Sequence, residues 1–205
     1  MKSKVLIASI LLSLAGAASA DGAYVGVGVL QGYADLPSYS GTISGSSVTL
    51  SGDKDTSTGF KLFAGYNFTP NWGVEAGYND LGNSYSFKGT VNGTPFTSND
   101  IKAHNYYVAV TGTLPLNNQF SLLGKLGWVR NTADLSNVCA SGSCVSISSS
   151  SSRNQLLYGV GMSYAFTPNW AAQLEYENYG KMTEDEAGMD TPKASSVALS
   201  VKYVF

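Results

Sequence analysis

Seven side chains with acid–base or hydrogen-bonding chemistry sit on the polar parity of otherwise apolar stretches: Lys61, Glu75, Lys125, Gln173, Glu175, Glu177 and Lys202. In an extended chain successive side chains point to opposite faces. Phe60 and Leu62 therefore face away from Lys61, and Leu174 and Tyr176 away from Glu175. Counted from the nearest tight turn, Glu75 and Lys202 stand about three residues up, Lys125 and Glu175 about five, and Lys61 and Glu177 about seven. Opposite charges thus share levels. A lone charge shut in a narrow interior is costly, so these groups are expected to pair. Two tasks suit them: a permanent polar plug that fixes strand register, or a gate whose pairs rearrange and let ions leak through. The plug is the better expectation if eight strands enclose them, because such an interior holds little beyond side chains.

Other reactive residue types make weaker cases. Lipid hydrolysis or acyl transfer needs a His with a Ser and a carboxylate in reach. Ser98 and Asp100 precede His104, the single histidine, but form no signature, so a rim histidine is expected. Glu184, Asp185, Glu186 and Asp190 could hold a divalent ion, yet their spacing matches no calcium loop, and a solvated acidic loop is expected. Cys139 and Cys144, in C-A-S-G-S-C, are expected to form a small-loop disulfide, with two free thiols as the alternative. Two cysteines without a nearby His make a poor zinc site. No cofactor and no metal is expected.

The elements that must position these residues read as eight alternating strands, at about 23–33, 58–68, 72–81, 101–114, 119–130, 154–166, 170–179 and 196–205. The last spells S-V-A-L-S-V-K-Y-V-F, with Val197, Leu199, Val201, Tyr203 and Phe205 on one parity. An apolar row that runs to a terminal aromatic suits a strand facing acyl chains. Thr69-Pro70-Asn71, Pro115-Leu116-Asn117-Asn118 and Thr167-Pro168-Asn169 read as tight turns. Residues 34–57, 82–100, 131–153 and 180–193 read as long loops, and Asn92-Gly93 as a hairpin turn that carries two strands past the bilayer.

Residues 1–20 have the form of a cleaved secretory signal peptide: basic Lys2 and Lys4, an apolar run from Val5 to Leu14, and Ala18-Ser19-Ala20. Residues 21–205 form one domain. Removing the two lysines leaves Lys+Arg at 12 − 2 = 10 against 14 Asp+Glu, a mature charge of −4, which argues against nucleic acid. Charged residues are 13% and aromatics 12%. Soluble domains carry roughly 25% charged residues. A lipocalin-type barrel would reverse the faces, but a surface of Gly, Ser and Ala with few charges serves a narrow lumen better than a soluble exterior. The expectation is all-β: an eight-stranded antiparallel up-and-down transmembrane barrel in a Gram-negative outer membrane.

Gly65–Gly82 (G-Y-N-F-T-P-N-W-G-V-E-A-G-Y-N-D-L-G) echoes Ser163–Gly180 (S-Y-A-F-T-P-N-W-A-A-Q-L-E-Y-E-N-Y-G), each a strand, tight turn and strand. With the signal peptide and the terminal Y-V-F, the chain resembles the small eight-stranded outer-membrane barrels, OmpA-like domains and opacity-type surface antigens. The resemblance implies an interior salt-bridge network. It also implies an assembly signal read by the barrel-assembly machinery, falling here on Phe205 with Tyr203 and Val201. It implies outer-membrane lipid and lipopolysaccharide as surroundings. Ending at Phe205, the chain is expected to lack the peptidoglycan-binding domain of larger relatives. The leading expectation is a non-enzymatic barrel whose long loops touch host or matrix ligands; a low-conductance pore gated by Lys/Glu pairs comes second, and a lipid-modifying enzyme third.

Overall fold

The structure is a computed structural model and describes residues 22–35, 39–43, 46–51, 54–82, 85–140, 143–182 and 193–205. Eleven strands form: β1 (Ala23–Asp35), β2 (Tyr39–Ile43), β3 (Ser46–Ser51), β4 (Lys54–Asn67), β5 (Trp72–Asp80), β6 (Tyr85–Val91), β7 (Thr94–Pro115), β8 (Phe120–Ala140), β9 (Ser143–Ala165), β10 (Trp170–Lys181) and β11 (Lys193–Val204). Eight of them close a barrel in the order β1-β4-β5-β7-β8-β9-β10-β11, every pair antiparallel, with β11 returning to β1. The eight strands of the sequence reading are these eight. Closure gives every strand a partner on both sides, which lipid demands because it offers no hydrogen bonds.

The faces are set by chemistry. Val27, Val29, Val108, Val160 and Leu199 point outward and are exposed, whereas Lys61 and Glu177 are fully buried in the centre. An exterior of that composition is a lipid-facing wall. Aromatic rings gather at both of its margins. Trp170 packs tilted against Tyr203 at 4.9 Å and Phe120 against Tyr164 at 4.8 Å near the short turns, while Tyr78 meets Tyr106 at 4.9 Å toward the other end. Two such belts are what the water–lipid boundaries select.

Glycine has a specific task on the inner face. Gly77 lies opposite Tyr107 and Gly65 opposite Tyr24. A Cβ on Gly77 would stand 2.5 Å from the Tyr107 ring, so the missing side chain is the space the ring lies in. This large-against-small alternation fills a lumen too narrow for two large residues at one register position.

The repeated F-T-P-N-W segments have one physical basis. Thr69 Oγ1 accepts the Trp72 N–H at 2.9 Å, and Thr167 Oγ1 accepts the Trp170 N–H at 2.9 Å. Asn71 Nδ2 then donates to the Thr113 carbonyl at 2.9 Å, and Asn169 Nδ2 to the Val204 carbonyl at 2.8 Å. Each motif both closes its own turn and fastens it to the next strand.

The other end departs from the sequence reading. Residues 131–140 and 143–153 are not a loop: β8 and β9 continue as a ribbon up to Ala140 and Ser143. Strands β7, β8 and β9 have 22, 21 and 23 residues, about twice the 9–11 that span a bilayer. The expected loops 34–57 and 82–100 contain β2, β3 and β6, which extend this sheet in the order β2-β3-β6-β7. Asn92 (φ 49°) and Gly93 (φ 80°) make the left-handed two-residue turn between β6 and β7. Asn92 Oδ1 accepts the Ser47 N–H at 2.9 Å, tying β3 to that turn.

Candidate functional site

Five of the seven lumen residues meet in one cluster. Lys125 Nζ lies 2.6 Å from Glu75 Oε1, 2.9 Å from Glu175 Oε1 and 2.7 Å from Glu177 Oε1. Lys61 Nζ lies 2.7 Å from Glu175 Oε2 and 2.9 Å from Glu177 Oε1. The carboxylates are further held by phenols: Tyr107 donates to Glu75 Oε1 at 2.6 Å, Tyr24 to Glu75 Oε2 at 3.1 Å and Tyr179 to Glu177 Oε2 at 2.9 Å. Removing charges from water is offset only where geometry is close and remaining lone pairs are occupied. Both conditions hold at Glu75 and Glu177.

The wall positions make this convergence unavoidable. Glu175 and Glu177 project from one strand, β10, at alternate positions, while Lys61 comes from β4, Glu75 from β5 and Lys125 from β8 across the lumen. Both ammonium groups also lie over the Tyr107 ring, Lys125 at 5.2 Å and Lys61 at 5.8 Å from its centroid. An aromatic face stabilises a desolvated cation there.

Pairing departs from the level-by-level expectation in one respect. Glu75 does not pair with Lys202; it is taken by Lys125. Lys202 instead lies over the Tyr24 ring, 4.8 Å from its centroid, and among the described residues has no carboxylate within 4.0 Å. Three lysines face three glutamates, but Lys125 is shared among all three carboxylates, so equal numbers do not give pairwise matching. Lys202 and Gln173 line a polar cavity of about 20 Å³ at the short-turn end, beside Glu75 and Glu175. That volume admits about one water molecule.

Above the charges comes a layer that sequence reasoning missed. Asn79 Nδ2 donates to Asn105 Oδ1 at 3.0 Å and to the Tyr179 hydroxyl at 3.1 Å. Tyr179 also bonds Ser196 at 2.6 Å, and Asn131 Nδ2 donates to the Tyr179 carbonyl at 2.8 Å. Asn79, Asn105 and Asn131 occupy one row across β5, β7 and β8. Leu81, two residues past Asn79, and Met182, three past Tyr179, are buried beyond this row, while Val129 is buried two residues below Asn131 on β8. Parity could have found the asparagines and tyrosines: each shares its strand's inner row with a small or charged residue. Nothing in the spacing marks which inner row is stacked on which.

The remaining candidates are dispersed. His104 faces outward at the rim, its Nδ1 3.8 Å from Asp134 Oδ2 and its ring 6.0 Å from Tyr106. The side chains of Ser98 and Asp100, and residues Glu184, Asp185, Glu186 and Asp190, lie outside the described residues. The backbone places Cys139 directly opposite Cys144 on the β8–β9 ribbon, with their side chains outside the description. Val201 and Tyr203 lie on the closing strand β11, and Phe205 directly follows it, its N–H donating to the Ala23 carbonyl at 2.9 Å to complete the seam. Among the described residues no cluster of three His, Cys, Asp or Glu side chains could hold a metal ion.

A family model for the outer membrane protein beta-barrel domain matches residues 5–205. No curated protein sequence matches the chain. Among solved structures, the attachment invasion locus protein of Yersinia pestis, bound to the heparin analogue sucrose octasulfate, is 19% identical with a TM-score of 0.53, covering 91% of this chain and 99% of that one. Neisserial surface protein A is 17% identical with a TM-score of 0.54, covering 90% and 97%. The Pseudomonas aeruginosa outer membrane protein OprG is 16% identical with a TM-score of 0.55, covering 91% and 97%. At these identities the likeness is one of fold.

Proposed function

This chain belongs to the outer membrane protein beta-barrel domain family, an outer-membrane barrel, and from that premise we propose that it is a non-enzymatic surface protein. Its barrel holds an extracellular sheet for contact with host, matrix or envelope partners. One observation carries the reading. Strands β7, β8 and β9 rise far beyond the bilayer and, with β2, β3 and β6, build a sheet that spanning the membrane does not require. Binding surfaces commonly ride on rigid scaffolds of this kind. The Yersinia pestis barrel, with its bound sulfated saccharide, supports surface binding as a task compatible with the fold.

Ala133 faces Ser151 across the ladder. Replacing residues 134–150 with Asn-Gly therefore closes a shorter hairpin at a register-compatible position. Cells carrying that variant are expected to lose adhesion to matrix-coated surfaces while displaying equal amounts of folded barrel. Unchanged adhesion would refute the reading.

A second reading, a low-conductance pore, is favoured by Lys202, which stands beside the small polar cavity and offers Glu75 an alternative to Lys125. Planar-bilayer recordings of the purified protein test it, and a silent bilayer removes it.

A further inference from the structure

The lipid-facing wall is not evenly tiled. Residues directly opposite each other in a ladder share one face, so the register traces rows around the barrel. One outward row runs Tyr203–Val25–Ala64–Ala76–Val108–Trp128. It climbs as it goes. Tyr203 stands one residue from the end of β11, Ala64 three from the end of β4 and Ala76 four from the start of β5. Val108 stands seven residues from the end of β7 and Trp128 eight from the start of β8. The row therefore leaves the short-turn boundary at Tyr203 and crosses the strands obliquely toward the middle of the membrane.

Between its aromatic ends the row is sunk. A groove of about 310 Å³ lies there, floored by Ala64 and Ala76 with Val25 and Val108, and bounded on the turn side by Tyr66 and Phe205. That volume is at the lower end of the roughly 300–1,000 Å³ of ligand pockets. Alanine is depleted in strands, and the lumen does not ask for it here. Ala64 and Ala76 lie on the outward parity, next to Phe63 and Glu75, which are buried within. They face each other across the ladder, with Leu62 and Tyr78 on one side of the pair and Tyr66 and Val74 on the other. Two small residues between larger ones hollow the wall. At the lower end Trp170 packs against Tyr203 at 4.9 Å, and Phe205 meets Tyr203 edge-on at 5.1 Å. Indole and phenol groups place one end in hydrocarbon and the other at the headgroups.

We propose that this groove binds one acyl chain of a phospholipid of the periplasmic leaflet, its headgroup beside Trp170, Tyr203 and Phe205 and its chain laid obliquely over Ala64 and Ala76. Short turns face the periplasm in outer-membrane barrels, which sets the leaflet. Three strand spacings of about 4.8 Å carry the floor from Val25 to Val108 over about 14 Å, close to the depth of one leaflet of a core about 30 Å thick. A chain in the groove meets wall beneath it and beside it, whereas a chain elsewhere meets one convex surface, so it gains dispersion contacts. Depth decides the occupant, since the groove opens into hydrocarbon alone. A second copy of the barrel would bring another convex wall, which bridges the rims of the groove without filling its floor. The site is separate from the sheet proposed for surface contact.

The test uses the folded protein in detergent micelles. The probe is a phosphatidylethanolamine carrying a nitroxide midway along one acyl chain, and the readout is the broadening of methyl NMR signals. The expected result is saturable broadening at Ala64 and Ala76, complete before the methyls of Val160 and Leu199, outward on β9 and β11, respond. Excess unlabelled phospholipid is expected to restore the signals. Ala64→Leu fills the floor and is expected to weaken the probe's affinity about tenfold, the equivalent of roughly two buried methylenes. Ala76→Leu is expected to act in the same direction, so the proposal remains testable if one variant fails to fold. Ala172→Leu, the same change on the outer face of β10 beyond the groove, is expected to leave the affinity unchanged. Broadening that rises in step at every outward methyl overturns the proposal, since that is ordinary solvation by lipid. So does an affinity that Ala64→Leu and Ala76→Leu leave unchanged. Broadening at Ala64 and Ala76 that is relieved by raising the protein concentration also overturns it, in favour of a second copy over the groove. None of these outcomes bears on the surface-contact reading, which stands on the sheet above the membrane.

Discussion

At the scale of single residues, Lys125 is the hub. It touches three carboxylates, whereas Lys202 faces a ring and a small polar cavity. Lys125→Met would leave Glu75 without its cation and Glu175 and Glu177 sharing Lys61. Stranding a buried charge costs about 3–5 kcal/mol. Urea unfolding in lipid vesicles, followed by tryptophan fluorescence, is expected to show a loss of that size for Lys125→Met and a clearly smaller one for Lys202→Met. Equal losses would mean that the cluster has no hub. Tyr107→Phe removes the 2.6 Å hydrogen bond to Glu75 and keeps the ring under both lysines. About 1–3 kcal/mol is expected in the same assay. The charged members of this site were legible because Lys and Glu interrupt apolar alternation. Their phenolic partners were not, because a tyrosine fits either face: Tyr106 lies outward and Tyr107 inward.

At the scale of elements, the barrel strands were legible wherever lipid imposes a pattern. One face must be apolar, and the alternation exposes the strand. Above the bilayer no such demand exists. The serine-rich part of β9 therefore has no apolar row to read, and 131–153 looks like a loop although the backbone of 131–140 and 143–153 forms a ladder. The tight turns are the opposite case, since Thr-Pro-Asn states its own geometry. Thr167→Ala deletes the acceptor for the Trp170 N–H and is expected to lower stability by about 1 kcal/mol. Thr69→Ala should do the same, because the two turns repeat one bond pattern. A double variant losing about twice as much would establish their independence. At the ribbon tip, Cys139 and Cys144 face each other across the ladder. We propose the disulfide there: secreted protein is expected to resist alkylation until reduced, then to gain two adducts by mass. Adducts without reductant would refute it.

At the scale of the whole molecule, two layers of hydrogen bonding do separate work. Below, a closed ladder gives each strand two partners without drawing on the sheet above it for a hydrogen-bonded neighbour. Above, the open sheet depends on the barrel to hold its strands in register. Stability should therefore be asymmetric. Replacing residues 134–150 with Asn-Gly removes the ladder above Ala133↔Ser151 but leaves the Lys61–Glu175–Lys125 cluster, the Asn79–Tyr179 layer and the β1–β11 seam intact. Local opening free energies are lowest where few buried contacts hold a segment. The variant is therefore expected to keep its heat-modifiable mobility, the unboiled form migrating apart from the boiled one, and to unfold within about 1 kcal/mol of the parent. Lys125→Met, a single change in the barrel centre, is expected to cost more than losing this whole ribbon. If the shortened variant unfolded as readily as Lys125→Met, the upper sheet would be part of what holds the barrel shut, and barrel and sheet could not be separated.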